Sequence, residues 1–163
     1  MTKKITPWLA TLLPAVAAAG LLFTGNAAAQ PSTPQVATGH RMQISEIYYN
    51  SPGPDTGSNS SLNAEWVELH NTSGDRISLT HWILHDGGQK HTFTFGTYTI
   101  GPHGYVKIHT GKGSPTQTDR YWNLSGYVWN NTGDTATLKD THGNVIDRCS
   151  YSDPSESNSH VNC

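Results

Sequence analysis

The chain has 163 residues, a formal net charge of −2 and only 13% charged residues. Twelve acidic side chains face ten basic ones without any Lys/Arg cluster, so the surface repels phosphate backbones and nucleic acid is excluded as an expected partner. A domain of about 110 residues buries roughly two-thirds of its unfolded surface, enough for one core, and nothing indicates a second domain.

Residues 1–29 read as a secretory signal peptide. Lys3 and Lys4 precede an apolar stretch from Ile5 to Phe23, then Ala27-Ala28-Ala29, with cleavage expected before Gln30. A membrane anchor is the alternative, since the stretch approaches spanning length. Pro7, Pro14, the alanine-rich second half and the cleavage site weigh against it, and no Cys follows to take a lipid. The expected product is secreted and extracellular, with no stable membrane insertion after cleavage. Eight basic and twelve acidic side chains then remain. Residues 30–40, polar with two prolines, are expected to be a disordered leader.

From Met42 to Tyr151 short apolar runs alternate with Gly, Asn, Asp and Pro, and no helical period appears. Many short strands with polar turns predict an all-β sandwich or barrel over residues 41–151. The first strand is expected near Met42–Tyr49, with a bulge or an edge position where its apolar phase slips between Ile44 and Ile47. Glu65–His70 alternates strictly, which turns Val67 and Leu69 inward and Trp66, Glu68 and His70 outward. Short runs follow at Ile77–Leu79, Trp82–Leu84, Phe93–Phe95, Tyr98–Ile100 and Tyr105–His109, then at Arg120–Trp122 and Tyr127–Trp129. The last hairpin pairs Thr135–Lys139 with Asn144–Tyr151 around Asp140–Gly143. With some of these short runs too brief to count as separate strands, the expectation is about nine strands, without room for a helix of useful length. The predicted core comprises Val67, Leu69, Trp82, Phe93, Phe95, Val106, Ile108, Trp129 and Leu138. Cys149 and Cys163, an even pair in an exported chain, are expected to form a disulfide tethering the polar tail 152–163, which would contribute about 3 kcal/mol.

Six segments, in order, resemble the lamin tail domain family. They are Ile44–Ile47, Glu65-Trp66-Val67-Glu68-Leu69-His70-Asn71, Leu79–Leu84, Tyr98–Ile108, the stretch from Gly111 through Trp122 to Asp134 and Leu138, and Gly143–Asp147. The resemblance covers about residues 41–151 and implies an immunoglobulin-like β-sandwich without a catalytic motif to transfer. In nuclear lamins this domain is an interaction surface for chromatin, DNA and membrane proteins. Those roles are not expected here, because this chain has no heptads, carries a signal-like leader and is acidic. It resembles the secreted bacterial versions that stand alone or beside extracellular enzymes.

The catalytic and metal alternatives are weaker. Nine histidines suggest metal, yet His81 and His85 on one strand face would lie about 13 Å apart. His91, His103 and His109 fall in other runs, and no His-Glu-x-x-His or His-x-His pattern occurs. Solvent-facing strand histidines are the expectation. Glu65, Glu68 and His70 could form an acid–base set but read as polar residues on an outer face. Asp119-Arg120 reads as a loop salt-bridge participant. The Asp55–Glu65 loop offers spaced oxygens and a glycine that calcium could use, against an ordinary loop of Asn/Asp–backbone bonds. Tyr121, Trp122, Tyr127 and Trp129 form either a sugar or partner platform or a plug at the end of the sandwich, with Trp82 and Trp129 expected buried. The expected function is a non-catalytic extracellular binding or structural module for a protein or cell-envelope partner, with neither catalytic residue, metal nor cofactor. A small secreted metal-dependent hydrolase is the competing class.

Overall fold

A computed structural model describes residues 41–163. The expected signal peptide, 1–29, and the expected leader, 30–40, lie outside the described residues.

Eleven strands and one helical turn make up the described chain. The strands are β1 (Met42–Tyr48), β2 (Trp66–Asn71), β3 (Ile77–Ser78), β4 (Ile83–His85), β5 (Thr92–Thr94) and β6 (Thr99–Ile100), followed by β7 (Tyr105–His109), β8 (Asp119–Tyr121), β9 (Gly133–Lys139), β10 (Val145–Ser152) and β11 (His160–Asn162). One sheet has the order β11-β1-β2-β7-β8, a second β10-β9-β4-β5, and β3 pairs with β6 separately. All pairings are antiparallel except β7 with β8. The architecture is an immunoglobulin-like β-sandwich.

Period-two alternation builds the core. Ile44 and Ile47 on β1, Val67 and Leu69 on β2, and Val106 and Ile108 on β7 are each at most 1% exposed. Leu84, Phe93, Ala136 and Leu138 on the second sheet join the same cluster, as do Phe95, Tyr98 and Trp129 from the connecting segments. The phase slip on β1 is a bulge between Ile44 and Glu46. There the Ile44 N–H leaves the ladder and donates to the Asp147 carboxylate of β10 at 2.7 Å. β1 is not an edge, because β11 pairs along its other side.

Four expectations need correction. Trp82 is only partly buried against the core: it precedes β4 at the sheet rim, where a side chain so large is covered on one side. Residues 127–129 form no strand, for the Val128 N–H is taken by a side chain, Glu65, rather than by a neighbouring strand. A single helical turn, α1 (Asn59–Asn63), forms in the Asp55–Glu65 loop, where the Ser58 hydroxyl accepts the Ser61 N–H at 3.3 Å. The strands number eleven rather than about nine, since every short run except 127–129 pairs as a strand and the polar tail supplies β11 as well.

Cys149 and Cys163 form a disulfide with a Cα–Cα distance of 5.8 Å. Cys149 lies on β10 and Cys163 directly follows β11, so the bond joins one sheet to the edge of the other. The Cys163 N–H donates to Ser45 O at 2.9 Å and prolongs the β11–β1 ladder past the bond.

Candidate binding surface

Glu65 lies inside the fold, not on the outer face. It is 0% exposed, which its parity with Val67 and Leu69 accounts for. One carboxyl oxygen accepts from the Thr110 hydroxyl at 2.6 Å and from the Val128 N–H at 2.8 Å. The other has no partner among the described residues. Burial pushes its pKa up to about 7 against these hydrogen bonds, and the Asp55 charge adds to the rise. Glu65 therefore pins the 127–129 segment to β2 and to the end of β7. It does not share a surface with Glu68 and His70, so the three do not form an acid–base set.

Those two point outward with the rest of the β2 outer face. Glu68 accepts from the Ser45 hydroxyl at 2.9 Å, and His70 stacks on Tyr105 with ring centroids 4.0 Å apart. Beside them a row of five rings crosses the sheet in register: His160, Tyr48, Trp66, His109 and Tyr121. Tyr48 stacks between His160 and Trp66 at 5.7 and 5.5 Å, and His109 stacks on Tyr121 at 5.1 Å. The Lys107 ammonium sits 3.5 Å over Trp66. Ring faces are thus spent on one another and on a cation, so the row braces the sheet and offers mostly edges to solvent.

The histidines do not converge. His81 is exposed in a turn with φ 64°, and His103 is exposed at φ 51°. His85, expected on the surface, is 5% exposed because its ring bonds Asp86 O at 2.7 Å beneath the β4–β5 hairpin end. His91 meets the Asp86 carboxylate at 3.0 Å. His109 lies between Asn63 O at 2.8 Å and the Asp119 carboxylate at 3.0 Å. The His109 bond and the Thr118 hydroxyl hold the Asp119 carboxyl below its usual range. Among the described residues no three His, Cys, Asp or Glu side chains are placed to hold one metal ion. Asp119 is therefore paired with His109 rather than with Arg120. The Asp55–Glu65 loop is tied to neighbouring segments by hydrogen bonds: Ser51 donates to Asp55 at 3.2 Å, and Ser61 meets the Tyr127 hydroxyl at 2.6 Å. With its last carboxylate turned into the core, the loop lacks the ligand that ended the proposed calcium set.

Trp129 is 2% exposed and Trp122 packs on it edge to face at 6.1 Å. Trp122 and Tyr121 are both partly buried, so this cluster plugs the end of the sandwich. Tyr121 also forms one wall of an open cleft of about 760 Å³ between β5, the turn into β6, the 113–117 loop and β8. Arg76 and Arg120 line it, and no carboxylate does among the described residues. Sequence reading missed this cleft because its two arginines are 44 positions apart, Arg76 in a loop before β3 and Arg120 on β8. The one available signal was Arg120 beside an aromatic pair.

A disulfide-stapled immunoglobulin-like sandwich with an open cleft is the class that fold and surface define. The chain belongs to the lamin tail domain family, whose model matches residues 35–153. Membership supports a non-enzymatic immunoglobulin-like domain. No curated protein matches this chain.

Proposed function

We propose that the protein is a secreted, non-catalytic lamin-tail-like module of the bacterial stand-alone type, binding a protein or cell-envelope partner outside the cell. Residues 1–29 direct export, 30–40 act as a leader, and the disulfide-linked sandwich does the binding. The observation that carries this reading is a separation. The carboxyl whose pKa is raised to about 7, Glu65, is sealed in the core, while the open cleft beside Tyr121 is lined by other side chains, suited to holding a ligand. General acid–base chemistry needs both in one place. The Cys149–Cys163 disulfide is compatible with an oxidising compartment.

The test is expression with the native leader in a bacterial host. Mass spectrometry should find protein in the medium beginning at Gln30, and purified protein should be retained by isolated cell envelope. Full-length protein left in the cytosol would overturn the export half. Chelator-sensitive hydrolysis by the purified protein would move the reading to the metal-dependent hydrolase.

A further inference from the structure

The 760 Å³ cleft is electrostatically opposite to the protein that carries it. The chain is net negative, and three of its twelve acidic side chains are paired outside the cleft: Asp75 with Arg41 at 2.8 Å, Asp119 with His109 at 3.0 Å, and Glu68 facing Lys107 at 4.0 Å. Arg76 and Arg120 stand in the cleft without an ion pair among the described residues. An unpaired arginine on an open wall has its full charge available to a ligand.

Arg120 is also held in place. Its guanidinium lies 4.0 Å over the Tyr98 ring, and Nη1 donates to the carbonyls of Thr116 and Asp119. Tyr98 is itself fixed, 5% exposed and donating to Gln117 O at 2.7 Å. The remaining guanidinium protons keep a defined direction, which lowers the ordering cost of gripping an anion. The walls of the cleft also carry the exposed hydroxyls of Thr94 and Thr97. Neutral hydroxyls lining a cleft that also holds two cations suit a ligand that itself carries both hydroxyls and negative charge. A second depression of about 260 Å³ adjoins the first and shares Arg76, Tyr98, Thr99 and Gln117 with it. The ligand path is therefore elongated.

The geometry points to a binding site for an anionic polyol, a hydroxyl-rich chain bearing carboxylate or phosphate groups, with Arg120 and Arg76 each taking one anionic group. This deepens the envelope reading and rests on it, since such chains are envelope and matrix material.

The experiment is affinity electrophoresis of the secreted protein through gels holding polygalacturonate, poly(glycerol phosphate), neutral dextran or a single-stranded oligonucleotide. Retardation by either anionic polyol, lost at high salt, is expected, and which one retards identifies carboxylate or phosphate as the recognised group. Arg76→Gln and Arg120→Gln should each weaken binding about tenfold or more, while Lys90→Gln, exposed and outside the cleft, should not. Arg76 is exposed and spends no ion pair on the fold, so its variant remains informative if Arg120→Gln disturbs the 113–117 loop. Retardation by neither polyol, equal retardation by dextran, tighter retention by the oligonucleotide, or an unaffected Arg76→Gln variant each overturns the site. Envelope retention that persists without polyol binding removes this inference alone; loss of both removes the module reading too.

Discussion

A carboxyl buried with one oxygen bonded and the other unpartnered is stabilised in its protonated form, and this makes Glu65 a source of pH-dependent stability. Its ordinary pKa of 4.5 rises to about 7 in the fold, chiefly through burial. The folded state therefore binds this proton more tightly than the unfolded chain. The associated stability is full below pH 4.5, declines as pH rises, and is gone above pH 7. The swing is roughly 3 kcal/mol at most. Asp119 and Asp153, whose pKa values are lowered by hydrogen bonds from His109 and from the Asn158 N–H, act in the opposite sense and lose their contribution only at strongly acid pH. Thermal melts of wild type and Glu65→Gln between pH 4.5 and 8 separate the two. The variant keeps the acceptor for Thr110 and Val128, so it should lack the wild-type decline and be the more stable protein at pH 8. Parallel curves would show that Glu65 does not titrate in this range. Glu65→Ala strands the Thr110 hydroxyl and the Val128 N–H and should cost about 2 kcal/mol or more at any pH.

At the scale of elements, the tail matters most. β11 consists of three residues with a single apolar side chain, Val161, and could not hold an edge position by packing alone. Two constraints hold it, the ladder to β1 and the Cys149–Cys163 bond across 14 positions. Closing a loop of that size contributes about 3 kcal/mol. Replacing both cysteines by serine should lower stability by about that amount. It should also speed amide exchange along the β1 edge that faces β11, leaving the β2–β7 amides protected. Uniform acceleration in every strand would argue instead that the bond supports the whole sandwich equally. β1 would then become an unprotected edge, a template for pairing with another chain. The variant is therefore also expected to aggregate at lower concentration.

At the scale of the whole molecule, both sheets contribute to one cluster of buried side chains, from Met42 to Cys149. Glu65 and the disulfide add polar and covalent links between separate segments. A single core unfolds as a unit, so heat should produce one transition in which far-ultraviolet circular dichroism and tryptophan fluorescence coincide. Trp82, Trp122 and Trp129 all report on that core. Separate midpoints for the two signals would mean that the end plug around Trp129 melts before the sheets.

How much of this was legible beforehand depends on the range of the forces involved. Strand alternation is a local property, and it placed Val67, Leu69, Val106, Ile108 and Leu138 inside from their parity alone. The bulge on β1 and the hairpin at Asp140–Gly143 were equally readable, since backbone pairing and turn chemistry act over a few residues. Glu65 shows where polarity misleads: its parity pointed inward and its chemistry outward, and inward won because Thr110 and Val128, far along the chain, supply the hydrogen bonds that make burial tolerable. The tail became a strand because β1 had an open edge to offer, which no residue of the tail announces. The cleft of Arg76 and Arg120 is assembled from segments far apart in the chain, β5, the turn into β6, the 113–117 loop and β8, which only the tertiary fold brings together. Local periodicity thus determined the class of fold, while partners distant in sequence decided which polar groups are buried, which are paired and which remain free to bind.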